Sequence, residues 1–335
     1  MKPQSKMAAL FTRLKAKNYL TTDQINYIRK NALPSWWSDD IAATNAGFAQ
    51  GALLIARHTG LDVRFLLDDL AVPFTYAPNC GSPKFKQHIN ADEAKSEFTV
   101  NVIKQAACIV AEATRSPYRH IPSSVAELRR AIRSNYSAPV TLKTLTAWCW
   151  EHGIPVIHLS ELPAHKPQAL VTLVHGRPVV ILCEKQRMDA RLAFLIAHEL
   201  THITLGHVLD DEVRTDTAIS IKSDDAEEQA ANAGAGEILT GNSEAVFTIP
   251  HAVSASTLAQ QALSYGRQKG IDPGAILLNL SYHQPKYHGL VTKTLQGMYP
   301  DADAPAVLRH EMNARLNWNE LVNDDAAFLR KLSAL

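Results

Sequence analysis

RLAFLIAHELTHITLGH, residues Arg191 to His207, decides how the rest of the chain is read. It is an apolar helical run carrying His198, Glu199 and His202 in the spacing H-E-x-x-H. On a helix of 3.6 residues per turn, positions four apart lie one turn above each other, so His198 and His202 present imidazoles on one face about 6 Å apart. That spacing suits two ligands of one zinc ion. Glu199, one residue along, points about a quarter turn away, where its carboxylate reaches a metal-bound water and not the metal itself. Zinc lowers the pKa of such a water, and Glu199 takes its proton and hands it to a leaving amine. The chemistry expected is metal-assisted amide hydrolysis.

The chain has 14 histidines, and an H-E-x-x-H arises by chance in roughly 3% of sequences of this composition. The surroundings of the motif therefore matter. Leu192, Leu195, Ile196, Ala197, Leu200, Ile203 and Leu205 wrap the helix in apolar side chains, and a helix apolar nearly all round is buried. Histidines and a glutamate on such a helix need partners, because unpaired burial of polar groups is costly. A metal supplies one.

A third protein ligand is required, and the downstream sequence narrows the choice. A metzincin places Gly three and His six residues after the second motif histidine, but those positions hold Leu205 and Val208. His207 is offset by one and, on a continued helix, faces away from His198, which makes it an exposed or helix-end residue beside Gly206. The better candidate is in DDAEEQAANAGAGEIL, residues Asp224 to Leu239. This second helix has Ala231, Asn232 and Ala235 one and two turns beyond Glu228, with Gly234 and Gly236 beside them. Small side chains let it approach the first helix closely enough for a short carboxylate to reach the metal. Glu228 is the expected third ligand, with Glu227 as the alternative, and Asn232 is placed to orient Glu228.

These residues resemble the ImmA/IrrE-type metallopeptidases. The resemblance is carried by Arg191 and Phe194 before the motif, by HELTHITLGH itself, and by Glu228 to Asn232 followed by Ala235 and Glu237-Ile-Leu. It covers roughly residues 140 to 245 and implies ligands at His198, His202 and Glu228, with Glu199 as the catalytic glutamate. It also implies that the target is a transcriptional repressor or an antitoxin. One departure is Gly234-Ala235, where the family usually has Phe-Ala, and it removes an aromatic core contact.

Composition sets the frame. A chain of 335 residues suggests two or three domains. Its formal net charge of +1 argues against bulk nucleic acid as a partner. Cys80, Cys108, Cys149 and Cys183 are scattered, without a C-x-x-C pair, so reduced thiols in a cytoplasmic setting are expected. The run MAALF is too short for a signal peptide, and no segment reads as a membrane span.

Residues 1–72 read as short helices, with a faint helix-turn-helix likeness over Ala49 to Leu70. Ser5 to Lys17 is basic and amphipathic, Thr22 caps a segment to Asn31, Ser38 a long run from Asp39 to His58 stopped by Gly60, and Asp62 a helix to Leu70. Seven Lys or Arg lie up to Lys30 against Asp23 alone. A solvated helix face is the first reading of that bias and DNA contact the second, since no recognition helix rich in Arg, Gln and Asn is present. Residues 73–138 form a connector and a helical region. Within it Ala91 to Thr114 is one helix, Ser124 to Glu127 a capping box, and Arg129, Arg130 and Arg133 a second basic patch.

Residues 139–245 are expected to be the α+β zincin-like core, and residues 246–335 a helical C-terminal region. The core begins with a helix from Thr141 to His152, a strand from Ile154 to Leu159, and a hairpin, LVTLVHGRPVVILC, around His175-Gly176-Arg177. A strand edge beside a zinc helix can hold an extended peptide by strand addition. His158, His165 and His175 read as solvent-facing, and Tyr282, His283, Tyr287 and His288 as a cluster able to supply an oxyanion donor.

Function then divides three ways. The chain is a zinc endopeptidase acting on a specific intracellular protein, a helix-turn-helix repressor or antitoxin; or a zinc-containing regulatory protein without proteolysis; or a DNA-binding regulator with a vestigial protease fold. Between the two ligand helices, residues 209–228 hold eight acids against Arg214 and Lys222, which favours a basic substrate segment. Replacing Asp210, Asp211 and Glu212 by Ser is expected to slow cleavage of a basic partner several-fold at low salt. Unchanged rates in a timed gel assay would remove that role.

Overall fold

The computed structural model describes residues 5–67, 73–77, 91–136, 139–163, 166–208, 213–216 and 226–335. The chain is α+β, mostly helical with one small sheet. It forms two compact units, neither continuous in sequence. The first comprises Met1–Ala113, Leu159–Lys166 and Asn317–Leu335, and the second Thr114–His158 and Pro167–Leu316. No described helix is long and apolar enough to cross a membrane.

The first unit is helical: α1 Lys6–Ala16, α2 Thr22–Tyr27, α3 Asn45–Thr59, α4 Val63–Leu67, α5 Ala91–Glu112, and the last helix, Asn323–Ser333. Caps set several of the boundaries. Ser5 accepts from the Ala8 amide at 3.1 Å and opens α1, while Thr21, not Thr22, forms a reciprocal box with Gln24. The long run expected from Ser38 is interrupted. A 3-10 turn, Ile41–Ala43, precedes α3, because Thr44 makes the capping bond to Gly47 at 3.0 Å. Gly60 ends α3 in the left-handed region, as its position after the last apolar residue predicts.

The last helix is tied into this unit by a buried carboxylate. Asp325, 1% exposed, accepts from Arg57 Nε at 2.7 Å and lies 3.2 Å from His58 Nε2. His58 places its other ring nitrogen 2.7 Å from the Ala32 carbonyl and stacks on Phe328 with centroids 4.2 Å apart. Burial alone would raise the Asp325 pKa, but the hydrogen bonds from His58 and Arg57 outweigh it and hold the carboxyl below its usual range. The cysteine expectation fails at one position: Cys108 is disulfide-bonded, whereas Cys149 and Cys183 are free and buried.

The second unit contains α6 Val125–Asn135, α7 Leu142–Glu151, β1 Val156–His158, β2 Ala169–Val174, β3 Arg177–Leu182, α8 Asp189–Thr204, β4 Val213–Asp216, α9 Ala226–Thr240, α10 Ala255–Lys269, α11 Pro273–His283, α12 His288–Met298 and α13 Ala304–Arg315. The sheet order is β1-β3-β2-β4, with β1 parallel to β3 and the other pairs antiparallel. The β2–β3 hairpin turns at His175 and Gly176, both at positive φ, which matches the right-handed twist of the strands. Strands β1, β2 and β3 are buried along almost their whole length, so their apolar runs do not alternate. Helix α8 packs on β2 and β3, and α7, α9 and α11 pack on α8. The capping box expected at Ser124 is absent, since its side chain makes no capping bond.

Asp325→Asn is expected to destabilise the first unit by about 2–3 kcal/mol, below the range for fully buried pairs because Arg57 is half-exposed. Because the folded-state pKa is lowered, the contribution is complete above the unfolded carboxylate value and fades as pH falls below about 4. Urea unfolding at pH 7 and pH 3 measures it: the gap between variant and wild type narrows at the lower pH.

Candidate metal centre

The site is built on α8 and α9. On α8 the residues Ala197, His198, Glu199, Leu200, Thr201 and His202 are all within 1% of full burial, as the apolar wrapping of the helix requires. Two imidazoles and a carboxylate in such a place must be satisfied by each other or by a ligand. His198 Nε2 and His202 Nε2 are 3.1 Å apart. Glu228, in the first turn of α9, brings Oε2 to 3.4 Å from His198 Nε2 and Oε1 to 3.4 Å from His202 Nε2. Among the described residues, these three form the one group of His, Cys, Asp or Glu side chains able to hold a metal ion. Glu228, and not Glu227, is the carboxylate that joins the histidines.

The spacing itself tests the fit. Tetrahedral zinc with bonds of about 2.05 Å sets its ligand atoms about 3.3 Å apart; the imidazole nitrogens are 3.1 Å apart, and each lies 3.4 Å from a different oxygen of the Glu228 carboxylate. The donor set, two imidazole nitrogens and one carboxylate, is also one that zinc takes in catalytic sites, with a fourth position left open. The residues present therefore fit a single small divalent cation. Glu199 is 1% exposed and follows His198 directly on α8.

Close approach of the two helices makes this convergence possible. The buried face of α9 is Ala231, Gly234, Ala235, Ile238 and Leu239, a helical stripe of small residues followed by large ones. A Cβ on Gly234 would lie 2.4 Å from Thr201 Cγ2 and 2.7 Å from its Oγ1. Thr201 cannot turn aside freely, because its hydroxyl donates to the Ala197 carbonyl at 2.8 Å. The absence of a Cβ at Gly234 is thus what allows contact at that point. The far end of α9 is held by α6: Arg129 Nε donates to the Glu237 carbonyl at 3.0 Å, a cation at a helix C-terminus. Arg129 is 9% exposed, so this member of the second basic patch is a structural anchor, while Arg130 is exposed and pairs with Glu127 at 3.7 Å.

Both histidines have partners behind the ring. Asn232 Oδ1 is 3.1 Å from His198 Nδ1, so the asparagine serves His198 and not Glu228 as expected. His207, at the helix end as expected, places Nδ1 3.0 Å from His202 Nδ1, a contact its helix-end position did not reveal. The helix does not continue to His207. It ends at Thr204, Gly206 adopts φ +71°, and the His207 amide donates to the His202 carbonyl at 2.9 Å, folding the ring back over the last turn. The signal was Gly206, a helix stop that reverses the chain.

The other histidines lie elsewhere. His158 is buried and bonds the Glu184 carbonyl at 2.8 Å, contrary to its solvent-facing reading; His175 is exposed in the hairpin turn; and His165 is outside the described residues. Tyr282 and His283 contact each other, and Ser281 meets His288 at 2.9 Å. Most of the acidic connector also lies outside the described residues, apart from β4, which pairs with β2.

Gly234→Ala is expected to cost about 1–3 kcal/mol through overpacking and to weaken zinc binding at least tenfold, because Glu228 moves with α9. Gly236→Ala, whose Cβ meets nothing closer than 3.8 Å, should fall within about 1 kcal/mol of wild type. Combining Gly234→Ala with Thr201→Ala should restore most of the lost affinity, read by chelator competition and thermal unfolding.

Residues 149–244 match the family model for Peptidase_M78, the IrrE N-terminal-like domain. No curated protein and no solved structure matches the chain.

Proposed function

We propose, from the premise that residues 149–244 are an IrrE N-terminal-like domain of the ImmA/IrrE type, that the chain is a zinc-dependent endopeptidase with a zincin-like core. The observation that carries this reading is the convergence of one donor atom each from His198, His202 and Glu228 within 4.8 Å of one another, with Glu199 buried beside them. Zinc bound there supplies Lewis acidity, polarising the scissile carbonyl and making water a nucleophile at neutral pH.

The remaining work falls to the protein. His198, His202 and Glu228 would hold the ion. Glu199 accepts a proton at its carboxylate as water attacks the carbonyl carbon, then gives that proton to the amide nitrogen as the C–N bond breaks. The remaining proton of the water passes from the new carboxyl group to the amine, so the products are a carboxylate and an ammonium group, and Glu199 returns ionised. Phe194, with its ring centroid 6.3 Å from that of His198, adds apolar surface beside the ligand. An extended substrate adds to β4, an edge strand of the sheet on whose β2 and β3 the ligand helix α8 packs.

In this reading residues 139–245 carry the peptidase, and the helical regions on either side select the target. The target is a helix-turn-helix repressor or antitoxin, whose basic surface suits the acidic connector; DNA is not the favoured partner. A cytoplasmic setting follows from that class of target and not from the cysteines.

Purified wild type is expected to bind one zinc and to cleave a co-expressed repressor of this kind. Glu199→Gln should keep the metal, measured by elemental analysis, and lose about 10²–10⁴ in cleavage rate. A wild type that holds zinc yet cleaves none of a panel of such partners would favour the regulatory protein without proteolysis.

A further inference from the structure

The two imidazoles of the centre are identical groups held by different acceptors. His198 is backed by the amide oxygen of Asn232, on the helix that also carries Glu228. His202 is backed by another imidazole from just beyond the end of its own helix. An imidazole that presents the Nε2 lone pair to a cation must carry its proton on Nδ1, and that N–H needs an acceptor when it is buried. His202 is 1% exposed, and His207 Nδ1 lies 3.0 Å from its Nδ1. Two Nδ1 atoms at that separation share one proton, so when His202 is the donor His207 must offer a lone pair and keep its own proton on Nε2.

From this we infer that His207 is a positioning residue for the metal centre: it accepts the Nδ1 proton of His202 and so fixes both the tautomer and the ring angle that aim Nε2 at the ion. The inference rests on the metal reading above. The helix ends in a Schellman motif, with Gly206 at φ +71°, its amide bonded to the Ile203 carbonyl and the His207 amide bonded to the His202 carbonyl. That end sets the His207 ring beside the His202 ring, with centroids 5.2 Å apart at 63°.

The role separates from a structural one by what an oxygen acceptor can restore. His207→Leu removes the acceptor, while His207→Gln offers a carbonyl oxygen in its place. Zinc affinity, measured with a competing chelator, is expected to fall about 10–100-fold in His207→Leu and to recover in large part in His207→Gln. In the zinc-loaded wild type, two-bond proton–nitrogen NMR of the ring should find His207 protonated on Nε2 only, with Nδ1 as acceptor. The visible spectrum of the cobalt-substituted protein should change in His207→Leu and return towards wild type in His207→Gln. Thermal unfolding of the metal-free proteins controls for folding, and similar midpoints are expected.

Equal zinc affinity in wild type and His207→Leu, or a His207 protonated on Nδ1 in the loaded protein, would overturn the role and leave the metal reading standing. A correctly folded wild type that binds neither zinc nor cobalt would overturn both.

Discussion

The contact between Thr201 and Gly234 is the constraint on which the site depends. Helices whose facing positions carry ordinary side chains pack with axes 8–10 Å apart, and a glutamate on one reaches ligands on the other only when the contact lies at the short end of that range. Here a threonine pinned to its own helix meets a residue with no Cβ, and the flanking Ala231 and Ala235 are fully buried. The absence of side-chain bulk on α9 is therefore a positive feature of the site.

Burial then makes the polar groups interdependent. Acceptors from His198, His202 and Glu228 converge, with both imidazoles buried and the carboxylate side chain 17% exposed, so water relieves little of the repulsion between them. A cation resolves that conflict, and the groups behind the histidines determine that lone pairs, not protons, face inward. The sheet contributes rigidity more than chemistry. With β1, β2 and β3 buried nearly throughout, α8 rests on a surface that cannot shift without exposing apolar side chains.

What could be read from the amino acids follows from how local each feature is. His198, Glu199 and His202 lie within one turn and a half of helix, and the hairpin turn at His175-Gly176 announces itself by its glycine. Glu228 was legible because small residues recur at helical spacing after it. Features that need a partner distant in sequence, or a boundary placed to within one residue, were not legible. Asn232 was on the right helix, but its target depends on the rotation of α9 about its axis, which no spacing specifies. His207 was read as a helix-end residue, but its contact with His202 depends on the chain turning back at Gly206. The strand β4 sits in an acidic stretch of low strand propensity and exists by pairing with β2. The joining of the last helix to the first unit rests on Asp325 meeting Arg57 and His58 from more than 260 positions away.

One helix, α9, contributes both Glu228 and the Asn232 that braces His198. These two are one turn apart on a single rod clamped by Arg129 at its far end. A shift of that rod would carry the carboxylate and the brace of one imidazole together, whereas His202 and His207 both belong to α8 and the turn that ends it.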